Sequence, residues 1–278
     1  MKTKLIEYNT TENPGQLECR IAINELFQSK NEKDIFFSKL PSFLESDLYN
    51  NKVYQVDDTH INYHTEELIP KARDNRPALL LLLGNPASHS VVSGMFFAFE
   101  ANNTEHRFWK TILKNSGVLN VQISGELSPE EKNSIRRNQI LESRYSSPFQ
   151  IGLSVFHSMP SGASGKWSGV AGIQKLIGLK AFRKIEDEEK KRVSNTIDNF
   201  VTKNGAVIAF QKNAWENMKT ANDPDYSREI VNKVGLTGKV DNRDINLICV
   251  PPTRLSGPCS RVLGNLTHKY KGVKQTKQ

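Results

Sequence analysis

An asparagine that directly follows a short apolar segment is the first residue placed to do chemistry. Residues 78–83 read Ala-Leu-Leu-Leu-Leu-Leu, and Gly84, Asn85 and Pro86 come next. A segment of this length suits a strand buried on both faces and is too short to cross a bilayer. Proline ends such a strand because it lacks the ladder N–H, and parallel α/β sheets present functional residues in the turns after their strands. Asn85 is therefore either a functional amide or part of an ordinary Asn-Pro turn.

Two aromatic motifs follow this turn in order. Residues 94–97 read Gly-Met-Phe-Phe, and residues 106–109 read His-Arg-Phe-Trp. Together with Gly-Asn-Pro-Ala at 84–87, they resemble the uracil-DNA glycosylase superfamily, most closely its mismatch-specific uracil/thymine branch. That branch has a strand ending in Gly-x-Asn-Pro-Gly, then Gly-Phe-x-Phe, then Asn-Arg-Phe-Trp at the start of a helix. Each motif alone is weakly specific, whereas their order and spacing together are a strong signal.

The resemblance covers roughly residues 76–264. Three further segments are similar to family elements in the same order. Residues 151–156 resemble the second core strand, and residues 206–215 resemble the strand that ends in a Gly-Lys-x-Ala turn. Residues 245–252 resemble the last strand, which precedes the DNA-inserting loop. Gln211 replaces the glycine of that turn, and residues 250–253 lack the histidine of highly active uracil glycosylases. The inserting loop itself is only loosely similar at residues 255–261.

The resemblance implies a DNA repair glycosylase that rotates uracil, or a related damaged or mismatched base, out of the DNA and hydrolyses its N-glycosidic bond. Asn85 matches the position at which the family carries either a carboxylate or an asparagine, and its carbonyl oxygen would orient the attacking water. Phe97 matches the ring on which the flipped base stacks. Gly84, Pro86 and Ser154 complete the implied base-binding set. The structural alternatives are a turn-forming role for Asn85 and a core role for Phe97.

A basic C-terminal region completes the implied DNA-binding surface. The chain has a formal net charge of +8, and residues 245–278 contain no Asp or Glu. Behind an inserting loop such a segment suits contact with phosphates, whereas alone it is typical of any solvated tail. Leu255 and Pro258 are the two candidate wedge residues. The predicted DNA contacts are Lys166, Arg254, Leu255, Ser256, Gly257, Pro258, Ser260 and Arg261, and the further cations of the tail are Lys269, Lys271, Lys274 and Lys277.

Two other classes of function stay open. The missing carboxylate and the altered last motif also suit a non-catalytic nucleic-acid-binding protein of the same fold. A nucleotide-binding α/β module is the second alternative, but the Walker A pattern would need glycine at Pro160 and Ser or Thr at Trp167. His89 and His157 fall near the predicted sheet edge, where a histidine is more often structural than catalytic.

The elements that must position these residues alternate between strands and helices. Strands are predicted at 78–83, 151–156, 206–210 and 245–250. Helices are predicted at about 105–116, after the Ser128 cap towards Leu141, and along the apolar stripe of Val193, Ile197, Phe200 and Val201. This alternation predicts an α/β protein, a three-layer α/β/α fold with a central four-stranded, mainly parallel sheet like that of uracil-DNA glycosylases.

One domain is predicted for residues 1–278, with residues 1–75 as an N-terminal extension packed on it and 265–278 as a basic, flexible tail. Within the extension, residues 21–27 are predicted to form an amphipathic segment.

Cysteine usage and the N-terminal sequence predict the cellular context. Cys19, Cys249 and Cys259 are too few and too scattered for a disulfide framework or an iron–sulfur site, and Cys249 is predicted to be a small buried residue. No metal and no cofactor are implied, and a monomer is expected. Residues 1–8 lack the apolar core of a signal peptide, which predicts a cytoplasmic protein without a membrane partner.

Overall fold

The computed structural model describes residues 4–123 and 125–271, without the side chains of 269–271. The chain forms two compact units, each built from separate chain segments. The first unit comprises the chain up to Glu67 together with Gly84–Phe96 and Val155–Val193. The second unit comprises Leu68–Leu83, Phe97–Ser154 and the chain from Ser194 onward.

Strands and helices follow one another along the chain. The strands are β1 (Ile6–Thr10), β2 (Gln16–Ala22), β3 (Tyr54–Val56), β4 (His60–Glu66), β5 (Ala78–Leu83), β6 (Gln150–Val155), β7 (Ala206–Ala209), β8 (Leu236–Lys239) and β9 (Asn246–Cys249). The helices are α1 (Ile23–Leu26), α2 (Lys30–Leu44), α3 (Asn50–Val53), α4 (Ser88–Ser93), a π-helix (Phe108–Leu113), α5 (Pro129–Leu141), α6 (Gly169–Ile177), α7 (Leu179–Phe200), α8 (Lys212–Met218), α9 (Arg228–Lys233) and α10 (Ser256–Lys271).

The first unit contains an antiparallel sheet in the order β1-β2-β4-β3. Cys19 pairs with Tyr63 and Ile21 with Ile61, and all four side chains are buried. This face belongs to a core that also takes in aromatic side chains of α2 and the ring of Trp167. The amphipathic segment predicted at residues 21–27 is instead the end of β2 followed by the single turn of α1. β2 itself was not predicted, because its polar-apolar alternation is short.

The second unit contains a five-stranded sheet in the order β6-β5-β7-β9-β8. β5, β7 and β9 are parallel to one another, and β8 runs antiparallel to β9 at the edge. Every residue of β5 and β7 is buried, as expected for strands covered on both faces. The four predicted strands are all present. The fifth, β8, was missed because Leu-Thr-Gly-Lys carries only one large apolar side chain.

Several predicted helices are confirmed. Ser128 caps α5 through a complete capping box with Glu131, and Pro129 occupies the first turn. α7 carries the predicted stripe up to Phe200. The helix predicted at about 105–116 contains the π-helix as its central part. The fold is thus mixed α/β, with a mostly parallel sheet flanked by helices, which is compatible with a three-layer α/β/α arrangement.

The C-terminal region differs from its prediction. α10 extends to Lys271, so the described part of the predicted tail, from residue 265, is helical. Lys274 and Lys277 lie outside the described residues, as do the side chains of Lys269 and Lys271. Over residues 4–123 and 125–271, no helix is long and apolar enough to cross a membrane.

Candidate functional site

Asn85 follows β5 in the chain, and its side-chain amide is held by three acceptors of the first unit. Nδ2 lies 3.0 Å from Ser161 Oγ, 3.3 Å from the Met159 carbonyl oxygen and 3.3 Å from that of Pro86. Two of these acceptors are carbonyl oxygens, which cannot donate, so the amide nitrogen must face them. The orientation of the amide is therefore determined by its surroundings.

The carbonyl oxygen of the same amide has a different environment. Asn85 is partly exposed, and none of the described residues donates a hydrogen bond to its Oδ1. An ordinary Asn-Pro turn would use the side chain for local hydrogen bonds only. Here two of the three bonds reach residues more than 70 positions away. The amide is thus fixed by its nitrogen and leaves its oxygen open to a hydrogen-bond donor such as water.

The segment that holds Asn85 is paired with the turn by backbone hydrogen bonds. The His157 N–H donates to the Gly84 carbonyl at 2.8 Å, and the Ser161 N–H donates to the Pro86 carbonyl at 3.2 Å. Gly84 and Pro86, both predicted to contact the base, are buried, and their carbonyl groups are used in this pairing. Ser161 is buried as well, and its Oγ also accepts from the Gly169 N–H at 2.8 Å. Ser161 is therefore a positioning residue for Asn85, and the sequence motifs did not identify it as one.

A buried ionic cluster lies under the 155–161 segment. Arg192 donates to Glu189 at 2.7 Å and to Glu67 at 3.0 Å, and a further guanidinium N–H donates to the Val155 carbonyl. Glu189 in turn accepts from the Ser158 N–H at 2.6 Å. Burial on its own lowers the pKa of Arg192, but the carboxylates of Glu189 and Glu67 raise that pKa above its usual value. The cluster therefore anchors the backbone at Val155 and Ser158, directly before the residues that carry the acceptors for Asn85.

His157 is buried beside this cluster. Its imidazole lies between the rings of Phe156 and Phe182, each with its centroid 4.9 Å away. Burial, followed by the positive charge of Arg192, lowers the pKa of His157 to about 3. The ring is consequently neutral near pH 7 and is not a general acid there.

Phe97 belongs to the second unit and has an unusual backbone conformation. Its φ is 49°, in the left-handed region that a bulky L-residue rarely adopts. Such a conformation costs on the order of 1–3 kcal/mol and persists only where neighbouring contacts enforce it. The Trp109 indole N–H donates to the Phe97 carbonyl at 3.1 Å and provides one such contact.

The Phe97 ring is stacked against two other rings. His106 stacks on it with centroids 4.7 Å apart and planes 19° apart, and Phe108 stacks with centroids 4.3 Å and planes 29° apart. The Phe97 ring is thus packed between two partners of the same segment, and the Phe108 N–H also donates to His106 Nδ1 at 3.1 Å. Phe108 is buried, whereas His106 is partly exposed. A base can stack on Phe97 only if His106 moves aside.

The remaining predicted base contact, Ser154, lies in β6 and is fully buried. Lys166 is exposed in the first unit, with its ammonium group 4.8 Å from the centre of the Trp167 ring. The other predicted DNA contacts belong to the second unit and lie at or just before the start of α10.

The predicted inserting loop is mostly helical. α10 begins at Ser256, so that only Arg254 and Leu255 among the predicted contacts precede the helix. Proline is tolerated at Pro258 because the first four N–H groups of a helix have no partner within it. Of these predicted DNA contacts, Leu255 and Ser256 are partly buried and Ser260 is buried, and four are exposed: Arg254, Gly257, Pro258 and Arg261. Arg261 donates to the Asn232 carbonyl at 3.4 Å.

The cysteines of the chain are all buried thiols. Cys19, Cys249 and Cys259 are free and buried, and burial raises the pKa of the Cys249 and Cys259 thiols to about 12. The prediction that Cys249 is a small buried residue is confirmed. In the part of the chain that the structure describes, no three His, Cys, Asp or Glu side chains are placed to hold a metal ion.

No relative is found among protein-family models or curated proteins. The chain matches no protein-family model, and no curated protein is significantly similar to it. The class of the protein follows from its fold: a mixed α/β protein with a five-stranded, mostly parallel sheet flanked by helices.

Proposed function

We propose that this chain is a DNA N-glycosylase with a uracil-DNA-glycosylase-like fold that removes uracil, or a related damaged or mismatched base, from DNA. Water attacks the anomeric carbon, a C–O bond forms, and the C–N bond to the base breaks. The base leaves as an anion and takes a proton from solvent, and the water loses one to solvent, so the products are the free base and an abasic site. The observation that carries the proposal is the Asn85 amide, fixed by its nitrogen with its oxygen open.

An amide suits this reaction in spite of its lack of basicity. The sugar gains positive charge as the base departs, so a neutral water that is already aimed at the anomeric carbon is a sufficient nucleophile. A fixed carbonyl oxygen aims that water without removing its proton in the ground state. Such chemistry is slow and favours bases that leave easily, which fits uracil better than an unmodified pyrimidine.

Phe97 is the proposed stacking platform for the flipped base. A flat ring attracts any base, and its contribution is on the order of 1–3 kcal/mol. The strained φ of Phe97 supports a functional role, because non-glycine residues in the left-handed backbone region cluster at functional sites. Displacement of His106 from the exposed face is then part of substrate binding.

DNA contact is proposed at the beginning of α10. Arg254 and Arg261 are exposed there, and the first turn of the helix carries no acidic residue. Phosphate groups are attracted both by these cations and by the free N–H groups of a helix N-terminus. Leu255 and Pro258 remain the two proposed wedge residues.

The test is a panel of labelled oligonucleotides incubated with the full chain and then treated with alkali, which cuts abasic sites. The panel contains U·G, U·A, T·G and hypoxanthine duplexes and single-stranded uracil DNA. Wild-type protein should cut at least one uracil substrate, Asn85→Ala should abolish cutting, and Asn85→Asp should keep or raise it. Asn9→Ala, which changes an exposed asparagine of β1, is the matched control. Equal cutting by Asn85→Ala and by the control contradicts the assignment of Asn85.

A second function is favoured by a separate observation. His106 covers the face of Phe97 that a base would need, which suits a protein that binds nucleic acid of this kind without cleaving the glycosidic bond. In that case the same panel gives no strand cutting by the wild type, while gel-shift titrations with abasic or uracil-containing DNA still saturate.

A further inference from the structure

A cavity of about 410 Å³ lies within the second unit. It is bordered by the π-helix, by the residues on either side of it and by α5. Its size falls in the range of small-molecule sites, about 300–1,000 Å³. π-helical turns are rare and frequently occur at functional sites, so the π-helix in its wall favours a ligand-binding role for this cavity.

The walls of the cavity combine aromatic rings with positive charge. Phe99 and Trp109 provide the rings, and Lys110, Lys114 and Lys132 provide the cations. Lys110 and Lys114 are exposed and form no ion pair with any residue that the structure describes. They are separated by four positions along the same helical turn, so they lie on the same side of it. Two ammonium groups so placed suit an anion with at least two acceptor oxygens.

The single acidic group among the lining residues is already engaged. Glu105 forms an ion pair with Arg136, whose side chain is 1% exposed. The Arg136 guanidinium lies 4.6 Å from the centre of the Phe99 ring and 4.7 Å from that of Trp109. Arg136 Nε and Nη1 are buried without a hydrogen-bond partner among the described residues. A buried charged group whose hydrogen bonds are not all formed is costly. The positive charge of Arg136, with too few acceptors around it, therefore lies against the Phe99 and Trp109 rings.

We propose that this cavity is a nucleotide-binding site, in which Lys110 and Lys114 hold a phosphate and Phe99 stacks on the base. Phosphate is the common ligand of paired cations, and an aromatic face accepts any base without reading its sequence. The nucleotide has two possible sources, a free mononucleotide or one residue of a DNA strand. The site involves neither Asn85 nor base removal, and the inference does not depend on the proposed glycosylase activity.

Isothermal titration calorimetry with the full chain tests the proposal. The probes are dTMP, thymidine, inorganic phosphate and a single-stranded thymidine trinucleotide, none of which is a uracil substrate. The tested variants are a Lys110→Gln/Lys114→Gln pair and Phe99→Leu, and the control is Lys71→Gln/Lys203→Gln, which removes the same charge from exposed sites outside the cavity. Thermal unfolding of each variant checks that it is folded.

Saturable binding of dTMP or of the trinucleotide is expected, with thymidine and phosphate each weaker by about tenfold or more. The paired lysine variant should lose about tenfold or more in affinity, Phe99→Leu should lose several-fold, and the control pair should bind like the wild type. The tighter of the two nucleotide probes identifies the source.

Three results would overturn the site: saturation by neither nucleotide probe, equal binding of inorganic phosphate alone, or equal loss in the control pair. Because the tested variants change only residues of this cavity and the probes contain no uracil, a failure of this inference is distinct from a failure of the glycosylase proposal.

Discussion

Acidification should destabilise this protein through one buried imidazole. His157 is 2% exposed, and its pKa is lowered to about 3 by burial and then by the charge of Arg192. Its Nε2 lies 3.7 Å from Glu186 Oε1, a contact that favours the protonated ring, but burial and Arg192 outweigh it. In the unfolded chain the same imidazole has a pKa of about 6.5. The folded protein therefore resists protonation that the unfolded chain accepts.

The sign and size of the effect follow from this difference. Because the folded pKa is the lower one, the unfolded chain binds the proton first as the pH falls, so the stabilisation is complete above about pH 6.5 and declines below it. Between about pH 6.5 and about pH 3 each pH unit removes about 1.4 kcal/mol from the free energy of unfolding. A change from about pH 7 to about pH 5 should then cost about 2 kcal/mol through His157 alone.

Urea unfolding of the wild type and of His157→Gln at both pH values isolates this contribution. Other groups titrate in both proteins, so the relevant quantity is the difference between the two free energies of unfolding. That difference should shift by about 2 kcal/mol against the wild type on acidification. A difference that stays constant between the two pH values would refute the assignment of a buried, neutral imidazole.

Further predictions concern the buried ionic cluster, the Phe97 stack and the start of α10. Glu189→Gln removes one charged partner of the buried Arg192 and should lower the free energy of unfolding, measured by urea titration, by about 3–5 kcal/mol. Glu188→Gln changes a partly exposed neighbour and should alter that free energy by less than about 0.5 kcal/mol. Equal effects of the two variants would contradict the role of the cluster. Phe97→Ala should weaken base excision by roughly 1–3 kcal/mol in transition-state terms. His106→Ala uncovers the same ring and should raise kcat/KM for excision. A loss of activity in both variants would mean that the stack is structural. The double variant Arg254→Gln/Arg261→Gln should reduce the slope of log DNA affinity against log salt concentration by about 1.8. Its control is the double variant Lys71→Gln/Lys203→Gln. Equal slopes for the two variants would show that neither arginine contacts phosphate.

The sequence was sufficient for elements whose local signals agree with their tertiary setting. β5 has an unbroken apolar segment, and α5 has a cap, a first-turn proline and a capping-box glutamate within a few residues. Each of these signals acts locally, so it can be interpreted without knowledge of distant contacts. The presence and order of the four main strands followed in the same way.

Features that depend on distant partners could not be predicted. The antiparallel sheet of the first unit requires β2 to pair with β4 across a long intervening segment, and the alternation of apolar residues within each strand does not say which strand is its partner. α10 begins where the family resemblance predicted an inserting loop, and its glycine and proline are tolerated because both fall in the first turn.

The candidate site was predictable in its residues and not in its contacts. Asn85 and Phe97 were identified from motifs, whereas the acceptors on Met159 and Ser161 and the ring of His106 depend on three-dimensional neighbours. Arg136 had no sequence signal that separates it from a surface arginine of α5.

The division of both units into separate chain segments has a consequence for synthesis on the ribosome. The first unit needs residues as late as Val193, and the central sheet of the second unit needs β9, which ends at Cys249. An emerging chain therefore carries the apolar β5 before its neighbours β6 and β7 exist, and the sheet of β1 to β4 before the residues of α6 and α7 that complete its core. Contacts between residues far apart in sequence also slow folding, because the entropy of closing long loops must be lost first. We expect nascent chains of this protein to rely on holding chaperones until almost the whole sequence has left the ribosome.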